Sequence, residues 1–106
     1  MKYNREEIIS LLDIYSELFT KHQKEILSEY FYEDLSMIEI SENYNVSKAA
    51  ISDIINRCVK QLETYENKLL ILEKTSKTNK IIQEMRNENI DILNKYADKL
   101  DSIEKE

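Results

Sequence analysis

The residues that most often carry out catalysis are scarce in this chain. Cys58 is the only cysteine and His22 the only histidine among the 106 residues. Cys58 lies among apolar neighbours, which favours a small buried side chain over a nucleophile. His22 has no cysteine or histidine at metal-ligand spacing. The carboxylates are spread over the predicted helices, as solvent-exposed charges are. We therefore expect no enzyme, no metal site, no cofactor and no small-molecule substrate.

A second group of residues could bind rather than catalyse. It lies in and just after the stretch ISENYNVSKAAISDIINRC, residues 40–58. The candidates for contact with nucleic acid are Ser47, Lys48, Ala49, Ser52, Asn56, Arg57 and Lys60. The cations suit phosphates and Asn56 suits adenine, whereas Ala49 offers only contact with a thymine methyl group and Ser52 discriminates little. Asp53 shares this face and would repel phosphates, so we expect weak binding with little sequence preference.

Two helices and a turn would present these residues together. Segment 36–62 shows a first helix after Ser36, a short turn at Asn45, and a second helix capped by Ser47. Asn45 suits the turn because asparagine tolerates a positive φ better than other residues that carry a Cβ. The residues expected to face inward are Ile38 or Ile40, Val46, Ile51, Ile54 and Cys58. This pattern predicts a helix-turn-helix, in which the second helix lies in the major groove of DNA.

The whole chain is predicted to be all-α. It contains no glycine and no proline, which hairpins and sheet corners usually require. Three pairs fit the capping-box spacing that marks a helix start: Asn4 with Glu7, Thr20 with Gln23, and Ser36 with Glu39. Apolar residues recur every three or four positions, as on one face of a helix. The predicted helices span about residues 5–18, 21–32, 37–44, 48–73 and 79–104.

These helices predict two regions. Residues 1–73 would form a helical domain that contains the helix-turn-helix and a long fourth helix. Residues 74–106 would form a hinge at Lys74–Thr78, which is polar and rich in poor helix formers, followed by an amphipathic C-terminal helix. That last helix could cover the long helix of its own chain or of a second copy, or its end could fray. We expect a homodimer.

The charge is unevenly distributed along the chain. Residues 1–46 hold four basic and ten acidic side chains, residues 47–80 hold seven and four, and residues 81–106 hold four and seven. A polyanion would therefore be attracted to the middle third and repelled by the flanks. No apolar run approaches the roughly 18 residues that span a bilayer, and no apolar signal segment follows Met1. We expect a cytoplasmic protein that does not enter membranes.

Longer stretches resemble a known family. The module of sigma-factor region 4 that binds DNA is similar to DLSMIEISENYNVSKAAISDIINRCVKQLETYENKL. The YlxM family of small bacterial proteins is a closer match, because its opening helices resemble LLDIYSELFTKHQKEILSEYFYEDLS. Its long helix resembles NRCVKQLETYENKLLILEK, and its following segment resembles IIQEM. The resemblance covers roughly residues 11 to 90, and the tail after Asn89 matches nothing recognisable.

The resemblance implies an all-helical, dimeric regulator in the signal recognition particle pathway. That role is inferred for the family mainly from gene neighbourhood with the GTPase of the particle. Two interpretations follow. The second helix of the motif could bind nucleic acid, either DNA or the RNA of the particle. Alternatively, the small side chains on that helix could suit close packing against a protein of the particle, with no independent recognition of nucleic acid.

Overall fold

The helix starts are set by hydrogen bonds between residues three positions apart. In the computed structural model, which describes residues 2–105, all three predicted capping boxes form. The backbone N–H of the third helical residue donates to the cap side chain at 2.8 Å for Asn4, 3.2 Å for Thr20 and 3.1 Å for Ser36. The side chain of that third residue accepts from the backbone N–H of the cap residue in each case. These starts are confirmed.

The fold is all-α, as predicted. Between residues 2 and 105 the helices are α1 (Arg5–Tyr15), α2 (Lys21–Phe31), α3 (Met37–Tyr44), α4 (Lys48–Leu69), α5 (Ile71–Asn87) and α6 (Asp91–Glu104), with a 3₁₀ turn at Ser16–Leu18 after α1. No strand occurs in this part of the chain. No helix within it is both long enough and apolar enough to span a membrane.

The chain divides into two compact units, Met1–Leu69 and Leu70–Glu106. In the first unit, α1 packs against α4, and α2 packs against both α3 and α4. The predicted apolar stripes meet in this core, and the buried residues of the first two helices and the following turn are Ile8, Leu11, Leu12, Tyr15, Phe19, Ile26, Leu27 and Phe31. Burial of each large apolar side chain contributes about 1.5–3 kcal/mol to folding. Leu18, the residue before Phe19, is exposed.

One buried polar contact joins α1 to α4. The hydroxyl of Tyr15 donates to Oε1 of Glu66 at 2.8 Å, and both residues are buried. The ring of Tyr65 lies 5.9 Å from the ring of Tyr15, centroid to centroid. The hydroxyl of Tyr15 thus gives the buried side chain of Glu66 a donor, which offsets part of the cost of burying a polar group.

The prediction of where the long helix ends is wrong. The helix α4 ends at Leu69, and Leu70 adopts the left-handed conformation with φ 53° and ψ 32°. No local residue explains this break, since leucine pays a steric penalty in that conformation. The hinge predicted at Lys74–Thr78 is absent, because these residues lie inside α5. Serine and threonine are only modestly poor helix formers, and the Lys77–Glu73 ion pair supports the helix here at 3.0 Å.

The predicted single helix over residues 79–104 is also interrupted. Asn89 takes a positive φ of 55°, and its backbone N–H donates to the carbonyl of Arg86 at 3.0 Å. The break therefore falls in the polar run of Asn87, Glu88 and Asn89, and asparagine is suited to the left-handed conformation.

In the second unit, α5 and α6 pack against each other. Ile82 of α5 and Ala97 of α6 are buried, and the small Ala97 side chain permits a close approach of the helices. Arg86 pairs with Asp98 at 2.7 Å and with Asp101 at 3.6 Å. Another face of α6 leaves Ile92, Tyr96 and Ile103 exposed.

Candidate nucleic-acid interface

The turn between α3 and α4 has the geometry that the sequence predicts. Asn45 ends α3 in the left-handed conformation, with φ 56° and ψ 45°. Its backbone N–H points back to the carbonyls of Ser41 and Glu42, and the N–H of Val46 donates to the carbonyl of Ser41 at 3.0 Å. These bonds satisfy carbonyls at the end of α3 that lack a partner within the helix.

Ser47 begins the second helix of the motif. The backbone N–H of Ala50 donates to Oγ of Ser47 at 3.1 Å, which satisfies one of the free amides in the first turn of α4. The predicted cap is confirmed. Ser47 itself is exposed, as are Lys48 and Ala49 after it.

Buried isoleucines fill the crossing between α3 and α4. Ile40 and Ile51 are fully buried, and the buried Cys58 extends this core along α4. Two inward predictions need correction. Val46 is 46% exposed, because the left-handed residue before it turns the chain outward and the isoleucines occupy the crossing. Ile54 is only half-buried, whereas its neighbour Ile55 is buried.

The candidate residues lie together on the outward side of α4. At 3.6 residues per turn, the positions from Lys48 to Lys60 cover roughly half of the helix circumference. Within this set, the exposed residues are Ser47, Lys48, Ala49, Asn56, Arg57 and Lys60. Ser52 is half-buried, and the side-chain amide of Asn56 donates to its hydroxyl at 3.4 Å. We call this set of seven residues the α4 surface.

One cation of the α4 surface is paired with an anion of the same helix. Nε of Arg57 lies 3.1 Å from Oδ2 of Asp53, at the i, i+4 spacing. Both side chains remain more than half exposed. Among residues 2–105, no carboxylate lies within ion-pair distance of Lys48 or Lys60. The net positive charge of the α4 surface therefore comes from these two lysines.

A different face of the first unit is acidic. A groove of about 520 Å³ on α2 is lined by Glu25, Glu29 and Glu33, with Tyr44 from the end of α3. Burial raises the pKa of Tyr44 to about 12, with further contributions from its hydrogen bond to Glu29 and from the charges of Glu29, Glu25 and Glu33. Lys21 and Lys24 also line the groove and offset part of this negative charge. The groove remains less favourable for a polyanion than the α4 surface.

Cys58 and His22 are the side chains most able to carry out nucleophilic or acid–base chemistry. Cys58 is buried, and burial raises the pKa of its thiol, which disfavours the nucleophilic thiolate. His22 stacks edge-on against the ring of Tyr44, with centroids 5.4 Å apart. In the part of the chain that the structure describes, no group of three histidine, cysteine or acidic residues is arranged to hold a metal ion.

The sequence pattern missed one cation beside α4. Lys2 precedes α1, and its ammonium group donates to Oδ1 of Asn67 at 2.9 Å. The two residues are 65 positions apart, so no helical periodicity could indicate this contact. The i, i+4 spacing of Asp53 and Arg57, in contrast, was visible in the sequence and could have predicted their ion pair.

This arrangement of capped helices, left-handed turn and outward α4 surface defines an all-helical helix-turn-helix protein. A family model described as "Putative helix-turn-helix protein, YlxM / p13 like" matches residues 2–105. The chain belongs to this family, also named UPF0122, which confirms the family resemblance seen in the sequence.

Relatives from clostridia carry the same family name. A UPF0122 protein of Clostridium perfringens (strain SM101 / Type A) is 41% identical, over 94% of this chain and 96% of its own length. A UPF0122 protein of Clostridium botulinum (strain Alaska E43 / Type E3) is 44% identical, over 74% of this chain and 72% of its own length. Their names specify no ligand and no activity.

Proposed function

We propose that this protein is a regulator that binds nucleic acid weakly through the α4 surface and acts in the signal recognition particle pathway. The observation that carries the proposal is the exposure of Lys48 and Lys60, without ion-pair partners in residues 2–105, on the second helix of a helix-turn-helix. In such motifs this helix enters the major groove. The pathway rests on the resemblance to the YlxM family alone.

The side chains support contact with phosphates more than recognition of bases. Ala49 is short and apolar, and Ser52 is half-buried and bonded to Asn56. An asparagine can pair with adenine through two hydrogen bonds, but Asn56 lies past the N-terminal residues of α4, which are the ones that meet base edges in such motifs. Lysine side chains bind phosphates through charge, which gives affinity that is independent of sequence and falls with salt.

The test is to remove the two unpaired cations together. The double change Lys48→Ala with Lys60→Ala should weaken binding tenfold or more at 0.1 M salt. The salt slope is the slope of the logarithm of the binding constant against the logarithm of the salt concentration, and each lost phosphate contact reduces its magnitude by about 0.9. The protein should be titrated against duplex DNA and the signal recognition particle RNA at 50, 100 and 200 mM salt by fluorescence anisotropy. Helical content should stay unchanged by circular dichroism.

The double change Lys21→Ala with Lys24→Ala is a matched control. It removes the same charge from the side chains that line the acidic groove. We expect it to change affinity by less than the α4 variant at every salt concentration. Equal affinity of the wild type and the α4 variant for both nucleic acids would contradict the proposal.

One observation favours a second candidate, a protein-interaction module. The Arg57–Asp53 pair leaves fewer free cations on the α4 surface, and the small Ala49 permits close packing of a protein partner. This candidate predicts that immobilised protein retains the GTPase of the particle after nuclease treatment. Loss of the GTPase on nuclease treatment would contradict it and favour a bridging nucleic acid.

We also propose that the protein forms a homodimer through α6. The exposed Ile92, Tyr96 and Ile103 are spaced by four and seven residues, so they form one apolar stripe on that helix. The double change Ile92→Lys with Ile103→Lys should convert the dimer to a monomer in light scattering coupled to size-exclusion chromatography. A wild-type chain that is monomeric at all concentrations would overturn the proposal.

A further inference from the structure

A small notch lies beside the α4 surface. It encloses about 340 Å³ and is lined by Lys2, Asn56, Val59, Lys60 and Glu63. Val59 is buried and forms an apolar floor. Asn56 and Lys60 belong to the α4 surface, so the notch is continuous with it.

Lys2, in the segment before α1, brings a cation to this notch. The chain before α1 runs past α4, where the ammonium group of Lys2 donates to Oδ1 of Asn67 at 2.9 Å. An ammonium group has three donors, so this bond leaves two for another acceptor. The amide of Asn67 is neutral, and no carboxylate in residues 2–105 lies within ion-pair distance of Lys2. The contact therefore positions the charge without neutralising it.

The donors around the notch suit an anion with several oxygens. Lys2 and Lys60 supply two ammonium groups, and the amide of Asn56 supplies further donors. Glu63 is the opposing charge on the rim, which leaves an excess of one positive charge. Charge-assisted hydrogen bonds to phosphate oxygens are about twice as strong as neutral ones.

We infer that Lys2, Asn56 and Lys60 form a binding notch for a backbone phosphate of the nucleic acid. This inference rests on the proposed function, because the notch would extend the α4 surface rather than act alone. Base edges meet the N-terminal residues of the second helix of such a motif. The notch lies further along α4, so its contact adds affinity and fixes orientation without reading sequence.

The test is the change Lys2→Ala in the full chain. Loss of one phosphate contact per chain should weaken binding to duplex DNA about eightfold at 0.1 M salt. It should also reduce the magnitude of the salt slope by about 0.9. The loss should be equal for duplexes of unrelated sequence. Lys21→Ala, which removes the same charge from the acidic groove, is the matched control and should have a smaller effect.

Two further substitutions at the same position separate charge from structure. Lys2→Gln can still donate to Asn67 but lacks the charge, so it should weaken binding as Lys2→Ala does. Lys2→Arg keeps the charge and should retain wild-type affinity. In the opposite direction, Glu63→Gln should tighten binding, because it removes the one carboxylate on the rim. Thermal unfolding of each variant should match the wild type within a few degrees.

The outcomes distinguish this inference from the function on which it rests. A wild-type chain with no salt-dependent binding overturns both. A second outcome would contradict the notch but not the proposed function. In that outcome the Lys48→Ala and Lys60→Ala double change weakens binding, whereas Lys2→Ala and Lys21→Ala bind equally well. If Lys2→Gln keeps full affinity, Lys2 has only a structural contact with Asn67.

Discussion

Asp53 is the residue whose replacement should strengthen binding through the α4 surface. Its carboxylate holds Nε of Arg57 at 3.1 Å, and the side chains are 57% and 77% exposed. The change Asp53→Asn keeps the size of the side chain and removes the negative charge. It therefore frees Arg57 for a phosphate and removes a repulsive group from the same surface.

The cost to stability should be small. An exposed ion pair at i, i+4 spacing contributes about 0.3–0.5 kcal/mol, because water and salt screen the charges and both side chains lose freedom. Asparagine and aspartate have similar helix propensity. We therefore expect thermal unfolding to shift by only a few degrees for a unit of this size.

The effect on binding should be larger than the effect on stability. With Arg57 paired, the α4 surface itself supplies two phosphate contacts per chain, at Lys48 and Lys60, and these contribute about −1.8 to the salt slope. Release of Arg57 would make this contribution about −2.7 and tighten binding by up to about eightfold at 0.1 M salt. Fluorescence anisotropy with a labelled duplex at 50, 100 and 200 mM salt measures both quantities.

The control is Glu17→Gln, which breaks another exposed ion pair at 3.2 Å, that with Lys24, and removes the same charge. We expect little change in its salt slope. The reasoning is refuted if Asp53→Asn and Glu17→Gln change affinity equally, since the gain would then reflect net charge alone. A loss of more than about 1.5 kcal/mol in unfolding free energy for Asp53→Asn would show that the pair is structural.

Three further predictions concern the fold that presents this surface. Asn45→Ala should lower the unfolding free energy by about 1 kcal/mol relative to Asn45→Gly, because a Cβ is penalised at φ 56°; equal thermal unfolding of the two variants would contradict this. Tyr15→Phe should lower the free energy of unfolding, measured in urea, by about 1–3 kcal/mol, because buried Glu66 loses a donor at 2.8 Å. An unchanged free energy of unfolding would mean that water replaces the hydroxyl. Cys58 should react with iodoacetamide at pH 8 far more slowly in the native chain than in denaturant, because burial raises the pKa of its thiol; similar rates would show that this part of the core opens readily.

Local chemistry explains which features could be predicted. A capping box involves residues three positions apart, so Thr20 with Gln23 and Ser36 with Glu39 can be recognised without knowledge of the fold. The left-handed turn at Asn45 is equally local, because its side-chain type already favours that conformation. The apolar periodicity of α1, α2 and α4 identified most of the core for a similar reason.

Predictions failed where the local preference was weak or was overridden. The polar run Lys74–Thr78 remains helical, because the modest penalties of serine and threonine do not outweigh helix propagation. The break occurs instead at Leu70, whose side chain has no preference for a left-handed conformation.

The amino-acid sequence by itself determined the first three helices, their caps and the turn of the helix-turn-helix, since these depend on neighbours within one or two helical turns. The tertiary structure decided which cations share a surface. It brings Lys2 to the notch beside Asn56 and Lys60, and joins Tyr15 to Glu66 in the core. These partners are far apart along the chain, and only the packing of α1 against α4 puts their side chains within reach of each other.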